Sequence, residues 1–576
     1  MRPRRALIVA LAAALLVPAA AGATPDELPP LHPVTEDRFQ ALPMETEMID
    51  TRGGRVYVEV IRPDVPEGTR VPVILTFTPY QVFLSSADDA VASFFVPKGY
   101  ARAMAHVPGT GNSGGCWDHG GPRERAAGYD LVEWLGTMEW ASGRVGMIGG
   151  SYEGTTANMA AVDRPPHLAT IVPEVAIAQW YGYSYADGVR YLIVDPGQNQ
   201  SVVINEQGFD TPLAFDFAIG LAPPLNPTDP DHLGRAVERL CPGGDKLVHT
   251  EHGYDMEPDF DEFWQERSYL RDASRVRVPV LVQGGWRDYN VKSHESTRWF
   301  EALPQRVPKM LVMDAVAHGT PQDPRIRWQT LLHAWFDRWL YGFDTGISDQ
   351  PPVLSKANDG ELRADTRWPP AGTQPARLFL HGDGRLATAP VEGPQALGSF
   401  RDSAKTTESE ALARRASDGG DFLWFESAPL TEDMRIAGTP RLSLHATSSA
   451  TSTHFTPVLF DLGPPLTDRP QCRFVPPQQA CTVDRGFLNA RYRDGLEEGK
   501  DLVPGEPYHA TVRFIGNDWM VPAGHRIGLA VMSANLWWAV PDDQRAENTL
   551  HAGPGARTAL ILPVVGGTAT ARAAGL

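Results

Sequence analysis

One stretch, Arg144 to Ala160 (RVGMIGGSYEGTTANMA), constrains this chain more than any other. Val145, Met147 and Ile148 read as the end of a buried strand, Gly149 to Gly154 as a sharp turn, and Thr155 to Ala161 as a helix. That strand–turn–helix order is the setting of a nucleophile elbow, which holds a serine at the tip of a tight turn with its Oγ exposed. Gly149 and Gly150 let two backbones approach closely there. The spacing is G-x-S-x-x-G, one residue longer than the commoner form, so Ser151 needs partners downstream before it implies chemistry.

A chain of 576 residues is too long for one core and calls for two or three domains. Its 52 Lys+Arg against 70 Asp+Glu give a net charge of −18, with no basic patch of the kind a nucleic-acid binder carries. Residues 1–23 combine Arg2, Arg4 and Arg5 with an apolar run and an Ala-Gly-Ala end, the pattern of a signal peptide cleaved after Ala23. A retained anchor is the alternative, although the apolar run is short for a span. The mature protein is therefore expected to be secreted or periplasmic, with no stable membrane insertion. Export permits disulfides. Cys472 and Cys481 suit a local bridge, which leaves Cys116 with Cys241, but four cysteines allow three pairings and all stay open. No Cys/His spacing, calcium loop or G-K-[ST] ending is present, so neither metal nor cofactor is expected.

The rhythm of the chain divides it in two. From Val56 to Met313, strand-like runs (Val56–Arg62, Val71–Phe77, Gly99–Val107, Leu168–Val175, Val278–Gln283, Met310–Met313) alternate with helical patterns such as Arg123–Trp140. That alternation predicts an α/β doubly wound sheet. Trp328–Leu340 carries the apolar stripe of an amphipathic helix, its tryptophans read as core, and Gly342 terminates it. Residues of about 185–275 lose the pattern and read as a cap inserted over the strand ends. After Gly346 only short alternating runs remain, among them Ala376–Leu380, Arg441–Ala446, Thr456–Asp461, Tyr508–Phe514, Arg526–Met532 and Thr558–Val564. Such runs predict a separate all-β sandwich over 346–576.

A serine hydroxyl becomes a nucleophile only with a base in reach and an acid to orient the base. In doubly wound sheets these follow the serine in the order acid, then histidine, each just past a strand. Ser151, Asp288 and His318 fit that order, with room for a cap between the first two. Asp314 as the acid and His294 as the base stay in competition.

The motifs Thr78-Pro-Tyr80, Gly149-Gly-Ser-Tyr-Glu-Gly154, Gly285-Trp-Arg-Asp-Tyr-Asn-Val-Lys292, Ala317-His-Gly319, Leu332-His-Ala-Trp-Phe-Asp-Arg-Trp-Leu340 and Pro522-Ala-Gly-His-Arg-Ile527 span nearly the whole mature chain. As a set they resemble the Xaa-Pro dipeptidyl-peptidase-like serine hydrolases, the group that includes cocaine esterase and the α-amino acid ester hydrolases. The resemblance implies an α/β-hydrolase fold with a helical cap over 24–345 and a jelly-roll C-terminal domain. It makes Ser151 the nucleophile, His318 the base and Asp288 the orienting acid. The oxyanion hole would be the Tyr152 N–H and the Tyr80 hydroxyl. Trp180, Tyr181, Glu174, Asp187 and Trp286 would contact substrate, with Glu174 or Asp187 as partner for a free amine. Two positions depart from the pattern: Gly182 and Gln179 stand where relatives carry acids. The implied activity is release of an Xaa-Pro dipeptide from a peptide N-terminus, with esterase or acylase action on small acyl substrates as the alternative.

Overall fold

The computed structural model describes residues 28–80, 86–191, 240–242, 258–416, 420–464, 480–536, 538–542 and 544–576. The leader expected over 1–23, most of the expected cap and Cys472 lie outside the described residues. Among the described residues no helix is long and apolar enough to cross a membrane.

The first half builds a ten-stranded sheet from strands β1 (Glu45–Thr51), β2 (Gly54–Ile61), β3 (Val71–Thr78), β4 (Ala101–His106), β5 (Ala141–Gly150) and β6 (Leu168–Glu174). A two-stranded hairpin, β7 (Tyr185–Ala186) and β8 (Val189–Arg190), stands apart. The sheet resumes with β9 (Val280–Gly285), β10 (Lys309–Asp314), β11 (Val353–Lys356) and β12 (Leu362–Asp365). The spatial order is β1-β2-β4-β3-β5-β6-β9-β10-β11-β12, parallel from β4 through β11. Every residue of β3 and β4 is buried, as expected where helices cover both faces. Helix Pro122–Thr137 packs against Tyr152–Asp163 on one face; on the other, Leu331, Trp335 and Phe336 join Ile74, Ile148 and Val172 in one core.

The helical stripe from Trp328 changes character at Asp337, where the last turn becomes π-helical before Gly342 ends it at φ 87°. The Asp337 carboxylate is the reason the extended N-terminal lead-in stays on the body. It accepts from the part-buried backbone N–H groups of Val34 and Thr35 and from the buried Tyr100 hydroxyl.

Two expectations need correction. The boundary drawn at 345/346 is too early for the sheet, because β11 pairs in parallel with β10 and β12 returns antiparallel to Asp365. The C-terminal strands also do not form an open two-sheet jelly roll. The strand Arg441–Ser448 pairs along Arg441–Ser443 with Ala559–Val565, and along its far end with Glu547–Ala552. This change of partner closes the strands into a ring of nine. Inside it lies a core of Leu442, Leu444, Val512, Phe514, Leu529 and Leu560.

The two halves are bolted together by a buried polar chain. Trp286 Nε1 donates to Ser355 Oγ (3.2 Å), Ser355 Oγ donates to Asp518 Oδ2 (2.7 Å), and Arg435 donates to both Asp518 oxygens (2.8 and 2.7 Å). The barrel also reaches the loop after β9: Tyr289 packs edge-on against Trp538, and Ser293 Oγ donates to the Gly516 carbonyl.

Candidate active site

β5 delivers its last residue, Gly150, straight into Ser151, whose backbone sits at φ 59°, ψ −124°, and the helix starts at once with Tyr152. A non-glycine residue held there carries about 1–3 kcal/mol of strain, tolerated only where neighbours fix it. Here Ser151 N–H donates to the Glu174 carbonyl at the end of β6 (2.8 Å), and the Ser151 carbonyl accepts from the Thr155 N–H (3.0 Å) and hydroxyl (2.9 Å). The glycines that this turn demands are Gly149 and Gly154. A Cβ on Gly149 would lie 2.4 Å from Glu153 Cβ, and one on Gly154 2.7 Å from the Gly149 carbonyl. Gly150, expected to serve close approach, faces open space. The longer motif spacing follows, since the second required glycine sits on the first helical turn.

Asp288, 3% exposed, lies just past β9. Its Oδ1 accepts from the N–H groups of Asn290 (3.0 Å) and Val291 (2.9 Å), and its Oδ2 lies 2.6 Å from His318 Nδ1. An ionised carboxylate only accepts, so Nδ1 carries the proton and Nε2 is left as the basic nitrogen. Burial disfavours the imidazolium, but the Asp288 charge and hydrogen bond outweigh it, and the His318 pKa stands above 6.5. Asp314 does different work. Its carboxylate accepts from the N–H groups of Ala315 (2.6 Å), Gln322 (2.8 Å) and Asp323 (3.0 Å), closing the loop that carries His318. The competing base His294 is buried in helix Ser293–Ala302 with Nε2 3.2 Å from Glu295 Oε1. Gln283, unread in the sequence, donates Nε2 to the Gly319 carbonyl (3.0 Å); a lone amide within the apolar run V-L-V-Q-G-G was its signal. Among the described residues Ser151 Oγ makes no hydrogen bond; serine–histidine contacts of this kind often tighten only with substrate bound.

The Tyr152 N–H, first donor of the helix, points at the Tyr80 hydroxyl 3.1 Å away, just past the end of β3. Tyr152 is itself anchored from behind. Its hydroxyl donates to Glu124 Oε2 (2.8 Å) and accepts from Trp117 Nε1 (3.2 Å), and Glu124 Oε2 also accepts from the Gly120 N–H (2.8 Å). Burial pushes the Glu124 carboxyl up to about 7, against the pull of those donors. Next to Trp117, Cys116 is bridged to Cys241, and the Cys241 N–H donates to the Trp117 carbonyl. Cys481 is also disulfide-bonded. Glu124 escapes sequence reading because an acid in a first helical turn is an ordinary solvent-facing residue.

The residues expected to touch substrate are placed differently from one another. Trp180 and Tyr181 are fully buried packing: the Trp180 ring lies 5.0 Å from that of Tyr152 with Nε1 on the Tyr269 hydroxyl, and the Tyr181 hydroxyl donates to the Pro258 carbonyl. Trp286 packs near the domain junction, against Trp368 and with Nε1 on Ser355 Oγ. Glu174 ends β6 beside the elbow, but its carboxylate accepts from Trp328 Nε1 (3.1 Å), and burial lifts its pKa to about 7. Burial also raises the Asp187 carboxyl, while Arg513, Arg298 and His294 pull it down. The glycine at 182 has a physical reason. A Cβ there would lie 2.9 Å from Oε1 of Glu295, whose other oxygen accepts from the N–H groups of Ala178 (2.8 Å) and Gln179 (3.0 Å). A carboxylate from another helix occupies the space an acid at 182 would need. Between Asp288 and Glu295 lies Lys292, 2% exposed, with Nζ 3.8 Å from the centre of the Tyr191 ring. Burial brings its pKa down to about 8, with both acids opposing.

Comparison with known proteins agrees in both halves. The model of the X-Pro dipeptidyl-peptidase (S15 family) matches residues 52–320, and that of the X-Pro dipeptidyl-peptidase C-terminal non-catalytic domain matches 345–563. A Streptomyces avermitilis protein named "Putative Xaa-Pro dipeptidyl-peptidase" is 29% identical over 98% of this chain and 89% of its own. The cocaine esterase of Rhodococcus sp. is 27% identical over 90% of this chain and 98% of its own. The solved structure of an α-amino acid ester hydrolase, 21% identical, superposes with a TM-score of 0.69 over 96% of this chain and 100% of that one, which supports an α/β-hydrolase fold with a C-terminal β domain. The chain belongs to the Xaa-Pro dipeptidyl-peptidase-like and cocaine esterase-like family of serine hydrolases.

Proposed function

We propose that this serine hydrolase acts through Ser151, His318 and Asp288, and that its substrates are peptides from whose N-terminus it releases an Xaa-Pro dipeptide. The observation that carries the reading is the 2.6 Å Asp288–His318 pair standing downstream of a serine at φ 59° on a strand-to-helix turn. Ser151 Oγ attacks the scissile carbonyl while His318 Nε2 takes its proton, and buried Asp288 stabilises the imidazolium so formed. The carbonyl oxygen, now negative, is met by the Tyr152 N–H and the Tyr80 O–H. Collapse expels the amine with the proton from His318. Water then attacks the acyl-enzyme, with His318 as base, and the acid product leaves as Ser151 regains its proton.

The names of the relatives support the peptidase reading. One observation favours the second reading, an esterase or acylase of the cocaine esterase or α-amino acid ester hydrolase type: two buried acids that could pair with a free amine are already engaged. Glu174 holds Trp328, and Glu295 caps two backbone N–H groups. The separating experiment compares Ala-Pro-p-nitroanilide, its N-acetyl form and a short-chain p-nitrophenyl ester on the purified protein. Loss of a charge-assisted contact on acetylation lowers kcat/KM about tenfold or more. Equal rates on free and acetylated anilide, with faster ester cleavage, select the esterase. We also propose that the protein is exported, supported by the leader-like residues 1–23 and by the Cys116–Cys241 bridge. Mature protein beginning at Thr24 is the expected result of N-terminal sequencing.

A further inference from the structure

The turn that carries Asp288 is held by two different domains. As far as Arg287 it belongs to the sheet: the N–H groups of Trp286 (2.9 Å) and Arg287 (3.0 Å) donate to the carbonyls of Asp314 and Val316. The His318 loop is held from the same side, by the Asp314 carboxylate and by Gln283 Nε2 on the Gly319 carbonyl. From Tyr289 to Ser293 the turn leans on the barrel. The Tyr289 ring meets the Trp538 ring edge-on, 4.8 Å away at 88°, and Arg485 Cζ lies 5.5 Å from the centre of the Tyr289 ring. Ser293 Oγ donates to the Gly516 carbonyl (2.8 Å). Lys292 Nζ faces the Tyr191 ring, which packs edge-on against Phe487 of the barrel (5.2 Å). Asn290 is held independently, its Oδ1 accepting from the Tyr183 hydroxyl (2.8 Å).

The barrel surface under Tyr289 is a built platform. Buried Arg485 lies with Cζ 3.8 Å from the centre of the Trp538 ring, and its Nε (2.5 Å) and Nη2 (2.6 Å) donate to the two oxygens of Glu408 in charge-assisted bonds. The same carboxylate accepts from Asn535 Nδ2 (3.1 Å), and the Asn535 carbonyl accepts from the N–H groups of Trp538 (2.8 Å) and Ala539 (3.1 Å). One acid thus fixes both the guanidinium and the indole. The second anchor belongs to the same corner, because the Ile515 N–H donates to the Arg485 carbonyl (3.0 Å) and the Gly516 N–H to Asp484 Oδ2 (2.8 Å).

We propose that the barrel positions the acid of the triad, with Trp538 and Arg485 acting on Asp288 through Tyr289 and Ser293 as the second anchor. This role rests on the triad reading of Asp288 and His318 given above. Both backbone N–H groups on Asp288 Oδ1, those of Asn290 and Val291, come from residues beyond Tyr289, so the seat of that ring sets where they point. The carboxylate they steer has its other oxygen 2.6 Å from His318 Nδ1. A misplacement of about 1 Å at a reacting group can cost about 10²-fold in rate. The base is placed by the sheet domain and the acid by the sheet and the barrel together, so their alignment depends on how the two domains pack. The C-terminal domain then contributes to turnover without lending a catalytic residue.

The test uses the full chain and a p-nitrophenyl ester. Trp538→Leu is expected to lower kcat about tenfold or more with KM nearly unchanged. The acidic midpoint of kcat/KM should move down toward that of Asp288→Asn, since a looser Asp288 no longer holds the His318 pKa up. Trp538→Phe keeps an aromatic edge for Tyr289 and should recover most of the loss. Ser293→Ala, a small change at the second anchor, should move kcat and the midpoint the same way, and it decides the matter where Trp538→Leu does not fold. On an Asp288→Asn background Trp538→Leu should cost less than about twofold further, because residues that act through one another are not additive. A wild-type midpoint in the folded variants, or a Trp538→Leu loss repeated in full on Asp288→Asn, overturns the positioning role. Wild-type kcat in Asp288→Asn itself would instead overturn the triad reading, and the role falls with it.

Discussion

Replacing Tyr80 by Phe tests the proposed oxyanion contact while keeping the ring. The Tyr80 ring meets that of Tyr152 edge-on, with centroids 6.4 Å apart at 78°, and Phe preserves this packing. What disappears is the hydroxyl 3.1 Å from the Tyr152 N–H. Two donors at that separation both reach an oxyanion sitting 2.7–3.1 Å from each, the distance at which such contacts stabilise a transition state. In the resting enzyme the same hydroxyl accepts from that N–H, a neutral bond with a net contribution of about 0.5–1.5 kcal/mol that water can replace. The gain is thus concentrated in the transition state, where one such donor is worth about 2.7–4 kcal/mol, or 10²–10³ in kcat. Steady-state kinetics of Tyr80→Phe on a p-nitrophenyl ester should therefore show kcat down by about a hundredfold or more with KM nearly unchanged. A kcat within about threefold of wild type, or a loss confined to KM, refutes the assignment.

Three further outcomes follow from the same contacts. The pH profile of kcat/KM should have its acidic midpoint above 6.5, because Asp288 holds the His318 pKa up and only neutral imidazole is a base; the residual activity of Asp288→Asn should titrate lower. Truncating Asp518 to Ala leaves the buried Arg435 guanidinium with Asp365 alone at the domain junction and should cost about 1–3 kcal/mol in denaturant unfolding. Glu174 and Glu124 have pKa values raised to about 7 by burial, so each favours folding fully only below its unfolded value near 4.5. That contribution is lost as pH rises through 7; Tm should fall between about pH 5 and 8, and Glu174→Gln should flatten part of the fall.

Alternation made the barrel strands readable, and Tyr508–Phe514 and Arg526–Met532 begin and end where the pattern places them. Closure into a ring was not readable, because it depends on Arg441–Ser448 changing partner halfway, which no local pattern records. At the candidate site, placement on strand ends and tight turns was legible, since Ser151, Asp288, His318 and Tyr80 each follow a strand as the pattern expects. Their supports were not. Glu124 looks like a surface acid until Tyr152 is folded over it, and Asp314 looks like a triad member until its carboxylate is seen closing the loop to Asp323. Trp286 is a related case: it sits two residues before Asp288, but its ring packs on Trp368 and its Nε1 holds Ser355, the residue that reaches Asp518 of the barrel. The glycine at 182 became intelligible only through Glu295, 113 positions on and on another helix.

The central claim is that Ser151 is the nucleophile, and covalent labelling tests it most directly. The protein is inactivated with a fluorophosphonate, digested, and the modified residue located by mass spectrometry, with Ser151→Ala treated in parallel. The account predicts one phosphonyl group per chain, on Ser151, appearing in step with loss of activity, and none on the variant, which folds but does not turn over. Label on another serine, or an active Ser151→Ala, would contradict it.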